Sequence, residues 1–289
     1  TSGIRKGTWF LYSSNGGASF TDTKISEESS GLSELFFDGT QAIILHNYTY
    51  YNNGLSVGRV WVSTTNDGKT FSTNKISPKY TTSYGENERC LSRQFENYST
   101  KIAKSGNNIV VVFEGTISEG VYTILYARST NNGQTFEAAK DLNNGTVRID
   151  NPKETIAAAN GNFYIAYQSY GKDYKFYFSK SVDNGVSFSK PINIMPTDVA
   201  HVSYSNLPNI VVDPQDQTGK TFYITGNWFY SMKSRDGGNS FSNYQMLAPS
   251  LKSVMYDLSS GNCSSWMKVD SDGQKHWISR ALYRFDKIS

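Results

Sequence analysis

The sequence has few residues of the kinds that mark metal centres, disulfide frameworks or membrane spans. Its 289 residues include only two cysteines, Cys90 and Cys263, which lack the CxxC spacing of zinc and redox sites. A single long-range disulfide and two buried thiols both stay open. No apolar run approaches the roughly 18 residues that a membrane helix needs, and residues 1–7 do not form a signal peptide. We expect no membrane span.

Charged residues are also scarce. They make up 18% of the chain, the net charge is +3, and the lysines and arginines are scattered rather than clustered. A protein that binds nucleic acid usually carries a concentrated basic patch, so no nucleic-acid partner is expected. Three isolated histidines and the lack of phosphate-binding or nucleophile motifs give no support for a metal site or a cofactor.

Aromatic residues and glycine are abundant instead. The chain has 20 Tyr and 24 Gly, and 14% of its residues are aromatic. Aromatic side chains favour β-strands, and glycine favours the turns between them. We therefore expect an all-β protein forming a single domain over residues 1–289, a length that β-barrels and β-propellers reach as one unit.

One eight-residue pattern occurs five times. Its glycines, Gly17, Gly68, Gly133, Gly185 and Gly238, are 51, 65, 52 and 53 residues apart. A period near 50 residues is typical of repeat architectures. The five copies read SSNGGASF (13–20), TTNDGKTF (64–71), STNNGQTF (129–136), SVDNGVSF (181–188) and SRDGGNSF (234–241).

The residues around each copy predict its structural setting. A strand-like run precedes it and a short polar strand follows, so the copy is expected to be a hairpin turn. A second pair of strand signals lies upstream, which gives four antiparallel strands per repeat. This pattern predicts a β-propeller, most simply of five blades with an insertion at 81–97, or of six if that insertion hides a blade. The pair at 264–283 would join the N-terminal strands in one blade and close the ring.

The repeated pattern resembles the Asp-box, or BNR repeat, of the sialidase superfamily. Aligned by its spacing, the central acid is Asp at Asp183 and Asp236 and is replaced by Asn15, Asn66 and Asn131. The resemblance covers nearly the whole chain and implies a propeller whose repeat turns lie on the outer rim, away from any ligand. The FRIP-type arginine motif of sialidases is missing, and the nearest match is GIRKG around Arg5.

The candidate ligand contacts are therefore expected in the loops that enter the innermost strand and leave the second strand of each blade. Aromatic rings stack on sugars, while amides, carboxylates and guanidinium groups hydrogen-bond to hydroxyl and carboxylate groups. The residues expected to bind ligand on this axial face are Arg5, His46, Arg93, Tyr98, Gln168, Tyr204, Trp228 and Arg280.

Three functions fit these residues. The first is a secreted or cell-surface, lectin-like module that binds a glycan or another small polar ligand. The second is a glycoside hydrolase of the sialidase-like type, in which Glu96, Glu114 and Asp150 are the candidate catalytic carboxylates. The third is a scaffold that binds a protein partner. The resemblance favours carbohydrate, and the missing arginine motif favours binding over hydrolysis.

Overall fold

The computed structural model describes most of the chain and no helix occurs within the part that it describes. The described residues are 7–27, 33–52, 55–82, 85–88, 100–118, 121–143, 150–170, 175–195, 208–225, 230–242, 245–246, 265–269, 275–279 and 284–288. The chain divides into two compact units. Unit 1 comprises residues 1–102 and 107–148, and unit 2 comprises residues 103–106 and 149–289.

Unit 1 holds two four-stranded sheets and two hairpins. Its sheets have the orders β1-β2, β3-β4-β5-β6, β7-β8 and β12-β11-β10-β9, and the boundary between the units falls within β9. The strands are β1 (Thr8–Tyr12), β2 (Thr21–Ser26), β3 (Ser33–Phe37), β4 (Ala42–Asn52), β5 (Leu55–Thr65), β6 (Ser72–Lys75), β7 (Lys79–Thr82), β8 (Gly85–Glu88), β9 (Lys101–Ser105), β10 (Asn108–Ser118), β11 (Val121–Ser129) and β12 (Lys140–Asp141).

Unit 2 holds two four-stranded sheets and a C-terminal sheet of three strands. Their orders are β13-β14-β15-β16, β17-β18-β19-β20 and β21-β22-β23. The strands are β13 (Asp150–Ala159), β14 (Asn162–Tyr170), β15 (Lys175–Ser181), β16 (Ile192–Asn193), β17 (Asn209–Val212), β18 (Phe222–Thr225), β19 (Tyr230–Ser234), β20 (Gln245–Met246), β21 (Ser265–Val269), β22 (Lys275–Ser279) and β23 (Arg284–Ile288).

The predicted fold class is confirmed. The four-stranded sheets are antiparallel and follow chain order, as the blades of a β-propeller do. The inner strands are rich in aromatic and β-branched residues, which pack well on a pleated surface. The fourth strand of three of these sheets is only two residues long. A short edge strand limits the unpaired backbone that each sheet exposes.

The insertion and the C-terminal strands have their own pairings. Within the described residues, the insertion contributes the hairpin β7-β8 rather than a four-stranded sheet. The C-terminal pair that was expected to join the N-terminal strands forms β21 and β22, and β22 pairs with β23 on its other edge. This pairing differs from the predicted ring closure, because β23 occupies the edge of β22 that the N-terminal strand was expected to use.

Neighbouring sheets of each unit are joined by apolar side chains. In unit 1, Ile43 and Leu45 of β4 pack with Val111 and Phe113 of β10 in one buried cluster. In unit 2, Tyr164 and Phe178 pack against Phe222, with ring centroids 4.4 and 5.5 Å apart. Burying these rings removes a large apolar area from water, which is the main stabilising term for such an interface.

The repeat turns are hairpin turns tied by a fixed set of hydrogen bonds. In the fourth copy the Ser181 hydroxyl donates to Asp183 Oδ1 over 2.6 Å and accepts from the Gly185 N–H over 2.9 Å. The Asp183 carboxylate also accepts from the N–H and the hydroxyl of Ser187, at 3.1 and 2.6 Å. The glycine has φ = 81°, a conformation that glycine adopts without steric cost.

Asparagine performs the same role where it replaces the acid. Asn131 Oδ1 accepts from the Thr135 N–H over 3.0 Å, and its Nδ2 donates to the Thr135 hydroxyl over 2.8 Å. The Ser187 hydroxyl donates to Asp183, whereas the Thr135 hydroxyl accepts from Asn131, since a hydroxyl can do either. Asn15 and Ser19 make the same pair of bonds at 2.9 and 2.8 Å.

In the second copy the central residue is Asp67, so the predicted alignment on Asn66 is wrong. Asp67 accepts from the N–H groups of Lys69 and Thr70, each over 2.8 Å, and from the Thr65 hydroxyl over 3.0 Å. This copy is one residue shorter between its acid and its glycine. Hydrogen bonds from Thr70 hold the pKa of Asp67 well below its usual range.

The turn glycines also contact the neighbouring sheet. A Cβ on Gly133 would lie 2.7 Å from Thr64 Cγ2, and one on Gly68 would lie 2.5 Å from Tyr12 Cγ. Asn74 of β6 adds hydrogen bonds to the carbonyls of Gly133 and Gln134, each over 3.1 Å. In unit 1 the repeat turn is therefore part of the contact between successive sheets as well as a connection within one sheet.

We predict that Gly133→Ala lowers the free energy of unfolding by about 2–4 kcal/mol, because positive φ and the contact with Thr64 both penalise a Cβ. Gly16→Ala is the matched control. Gly16 also has positive φ, at 67°, but nothing lies within 4 Å of the position of its Cβ, so it should lose only about 1–2 kcal/mol. Urea denaturation of both variants measures the difference. Equal losses would show that the contact between sheets contributes nothing.

Candidate functional site

The second strands of three four-stranded sheets, β4, β10 and β14, each carry a polar residue at the same distance from the repeat turn of their sheet. The hydroxyl residue two positions before the central acid or asparagine of a turn pairs with the start of the second strand, as in Ala42 with Thr65, Ile109 with Ser129 and Phe163 with Ser181. Five residues further along, these second strands carry Asn47, Glu114 and Gln168. The pairing register therefore gives the three residues the same position in their sheets. We call them the strand-end polar residues.

Each strand-end polar residue completes a row of apolar side chains. Successive residues of a strand point to opposite faces, so Gln168 shares a face with Ala166 and Tyr164. In unit 1, Asn47 likewise follows Ile43 and Leu45 on one face of β4. All four of these apolar residues are at most 1% exposed, so the polar side chain stands at the end of a fully buried row.

The hydrogen bonding of Asn47 and Gln168 is incomplete. Asn47 is 9% exposed, and its Nδ2 donates to Thr100 Oγ1 over 2.9 Å, while its Oδ1 accepts no hydrogen bond from the described residues. Gln168 is 0% exposed, and neither Nε2 nor Oε1 has a partner there. A buried amide without partners costs free energy, so such groups are rare in folded proteins.

The backbone beside Gln168 is irregular. Gln168 pairs with Lys153 of β13, and the next pair joins Tyr170 to Asp150, so β13 carries one extra residue between the two pairs. This is a β-bulge, a feature that is over-represented next to binding and active sites. Asp150, a candidate catalytic acid, thus begins β13 at the same end of the sheet as Gln168. Its side chain lies outside the described part of the structure.

Glu114, another candidate acid, is half-buried on β10. It pairs with Ile124 and shares its face with the buried residues Val110 and Val112. The opposite face of the same end of the sheet carries a short polar network, since Thr123 pairs with Gly115. Thr123 Oγ1 donates to Asp141 Oδ1 over 2.5 Å and accepts from Asn143 Nδ2 over 3.1 Å. This end of the sheet in unit 1 therefore combines a carboxylate with buried hydroxyl and amide groups.

His46 lies in a buried polar network. It is 2% exposed, its Nε2 lies 2.9 Å from Ser63 Oγ, and its ring stacks on Trp61 with centroids 6.4 Å apart. Ser63 Oγ also lies 2.8 Å from Thr73 Oγ1. These contacts favour a packing role. The predicted ligand contact of His46 stays a prediction.

The other predicted site residues lie outside the described residues, so their predicted roles stay predictions. They are Arg5, Arg93, Glu96, Tyr98, Tyr204, Trp228 and Arg280.

Sequence analysis missed two polar residues near these strand ends. Thr225 closes β18, is 1% exposed, and its Oγ1 has no partner within the described part of the chain. Thr100 precedes β9 and binds Asn47. Threonine is common in strands, so composition carries no signal for either residue. Thr225 lies only three residues after Phe222, the partner of Ser234, so counting five residues from the repeat turn would not have identified it either.

The described residues contain no group of three or more His, Cys, Asp or Glu side chains arranged to hold a metal ion. Nor do they contain a helix long and apolar enough to cross a membrane.

Comparison with solved structures shows the fold. A mutant of Trypanosoma rangeli sialidase that displays trans-sialidase activity matches with a TM-score of 0.52 and 11% identity, over 95% of this chain and 46% of that one. The same sialidase in complex with sialic acid gives 0.51 and 10%, over 96% and 46%. A mutant of NanB sialidase from Streptococcus pneumoniae gives 0.50 and 13%, over 88% and 39%.

These similarities establish a sialidase-like propeller fold and nothing finer. The chain spans less than half the length of the sialidases that it matches. No protein-family model matches the sequence, and no curated protein matches it.

We predict that His46 makes stability depend on pH. Burial lowers the pKa of His46 to about 4, whereas an unfolded histidine titrates near 6.5. Protons therefore bind the unfolded chain more tightly, and the stability that neutral His46 provides above pH 6.5 is lost as the pH falls towards 4, by about 3 kcal/mol.

Urea denaturation at pH 7 and pH 4.5 tests this for the native chain and for His46→Gln, which keeps a polar group near Ser63 but does not titrate. The native chain should lose more stability than the variant between the two pH values. An identical loss in both proteins would contradict the assignment of this pH dependence to His46.

Proposed function

We propose that this chain is a carbohydrate-binding propeller of the sialidase superfamily, and that within each unit the residues at the ends of the second strands contact the ligand. The observation that carries the proposal is the set of strand-end polar residues, Asn47, Glu114 and Gln168, at one register position. Packing alone would favour an apolar residue at the end of each buried row. Polar groups held there, two of them with unfilled hydrogen-bonding capacity, are suited to binding a polar ligand.

The chemistry of these residues suits sugars. Amide groups donate and accept hydrogen bonds and a carboxylate accepts them, so each kind of residue can pair with hydroxyl groups. The predicted aromatic contacts Tyr98, Tyr204 and Trp228 would supply faces for the sugar ring. Arg5, Arg93 and Arg280 are the proposed partners for a carboxylate or another acidic group on the glycan.

The repeat turns support the superfamily assignment. They have the Asp-box pattern, and their acids and asparagines are fully engaged in bonds within their own turn, as with Asp183. We therefore assign them a structural role, and we place ligand binding at the strand ends instead. A glycan ligand also agrees with a secreted or surface location, which we retain as part of the proposal.

Glycoside hydrolysis is the second candidate function, favoured by the half-buried carboxyl of Glu114. Hydrolysis by a carboxylate pair requires two acids about 5–9.5 Å apart around the scissile bond, and Glu96 or Asp150 would be the second acid. The missing FRIP-type motif argues against a typical sialidase. Binding without cleavage therefore remains the first proposal.

Two assays on the full chain separate these functions. We expect binding on a glycan array, and no product from a panel of fluorogenic glycosides that includes a sialoside. Release of product that is abolished in Glu114→Gln would replace the binding proposal with hydrolysis. Asp22→Asn, which changes an exposed acid on β2, serves as the control variant. A chain that binds no glycan but captures a defined protein would instead indicate a scaffold.

A further inference from the structure

Gln168 is a buried polar side chain at the end of an apolar row on β14. It is 0% exposed, and both its Nε2 and its Oε1 lack a hydrogen-bond partner within the described part of the chain. We propose that the Gln168 amide recognises two neighbouring hydroxyl groups of a neutral sugar ring, one as acceptor and one as donor. This inference rests on the proposed carbohydrate-binding function and deepens it.

The free-energy balance of the buried amide supports a role in binding. An amide removed from water without new hydrogen bonds destabilises the folded state, whereas an apolar residue of the same shape would not. The side chains that precede it on the same face, Ala166 and Tyr164, pack in an apolar cluster with Ile210 and Phe222 of the next sheet. Methionine would therefore suit position 168 better if packing were its only role.

The strand geometry at Gln168 also differs from the rest of the sheet. From Ala159 to Thr155, β13 pairs with β14 residue by residue, and the bulge occurs only beyond Lys153. A bulge changes the direction of the strand and can redirect side chains towards a site. Gln168 lies beside it, two residues before β14 ends at Tyr170.

The chemistry of an amide selects the ligand group. A primary amide presents one carbonyl oxygen and one NH2 group side by side in a plane. Two hydroxyl groups on adjacent ring carbons can donate to the oxygen and accept from the nitrogen at the same time. A lone carboxylate accepts only, so it would leave the Gln168 oxygen without a partner. The amide therefore favours a neutral diol over an acidic group.

Gln168→Met tests the role of the amide in the free protein. If Gln168 serves a ligand, the variant should melt a few degrees higher, since an unpaired buried amide is replaced by an apolar side chain of similar length. The control is Gln134→Met on an exposed turn residue, which should leave the melting temperature unchanged. A lower melting temperature for Gln168→Met would show that the amide has a structural partner, and would overturn the proposal.

Calorimetric titration with methyl galactoside and methyl mannoside, whose blocked anomeric oxygen leaves only the 2,3 and 3,4 diols on the ring, tests recognition. Gln168→Met should bind the sugar that the native chain binds about tenfold more weakly, which corresponds to two neutral hydrogen bonds. The 3-deoxy sugar, which retains neither a 2,3 nor a 3,4 diol, should bind native chain and variant equally. The 6-deoxy sugar retains both diols and should still distinguish them.

The outcomes separate the two proposals. If Gln168→Met binds the sugar as tightly as the native chain does, and the native chain binds the 3-deoxy sugar as tightly as the parent sugar, the role of Gln168 is overturned. Carbohydrate binding itself would remain intact. If the native chain binds neither these sugars nor any array glycan, the proposed function fails, and the assignment of Gln168 fails with it.

Discussion

The hydrogen bonds of the repeat turn determine how the other strands of its sheet are arranged. A single hydroxyl, such as that of Ser181, ties the acid and the glycine of its turn together and also marks where the second strand begins to pair. In a strand, a shift by one residue would move every side chain to the opposite face. The turn therefore determines which side chains reach the apolar contact between sheets and which residue ends each row.

The same turns hold successive sheets together in unit 1. Gly133 has no room for a side chain beside Thr64, and the neighbouring strand β6 donates hydrogen bonds to its carbonyl. Tight turns at one end of the sheets and polar residues at the other end give the two ends different physical roles. One end is saturated with internal hydrogen bonds, and the other retains unfilled hydrogen-bonding capacity at Gln168.

Much of this organisation could be predicted from the sequence, because glycine, hydroxyl and acid residues at fixed spacing have a local structural cause. That cause also explains the error in the second copy. Spacing alone selected Asn66, whereas a copy one residue shorter lets Asp67 make the bonds. The C-terminal sheet depends on pairing between distant strands, and the sequence does not show that β23 occupies the edge of β22. The burial of Gln168, on the face that packs against the next sheet, likewise depends on contacts that strand patterns do not specify.

Asn47 and Gln168 have unfilled hydrogen-bonding capacity among the described residues, and we propose that a glycan fills it. A crystal structure of the chain soaked with a mixture of neutral sugars and sialic acid is the decisive experiment. We predict a sugar whose hydroxyl groups lie within hydrogen-bond distance, about 2.7–3.2 Å, of a strand-end amide. A sugar bound elsewhere, with ordered water completing the hydrogen bonds of Asn47 and Gln168, would show that these residues do not bind glycan.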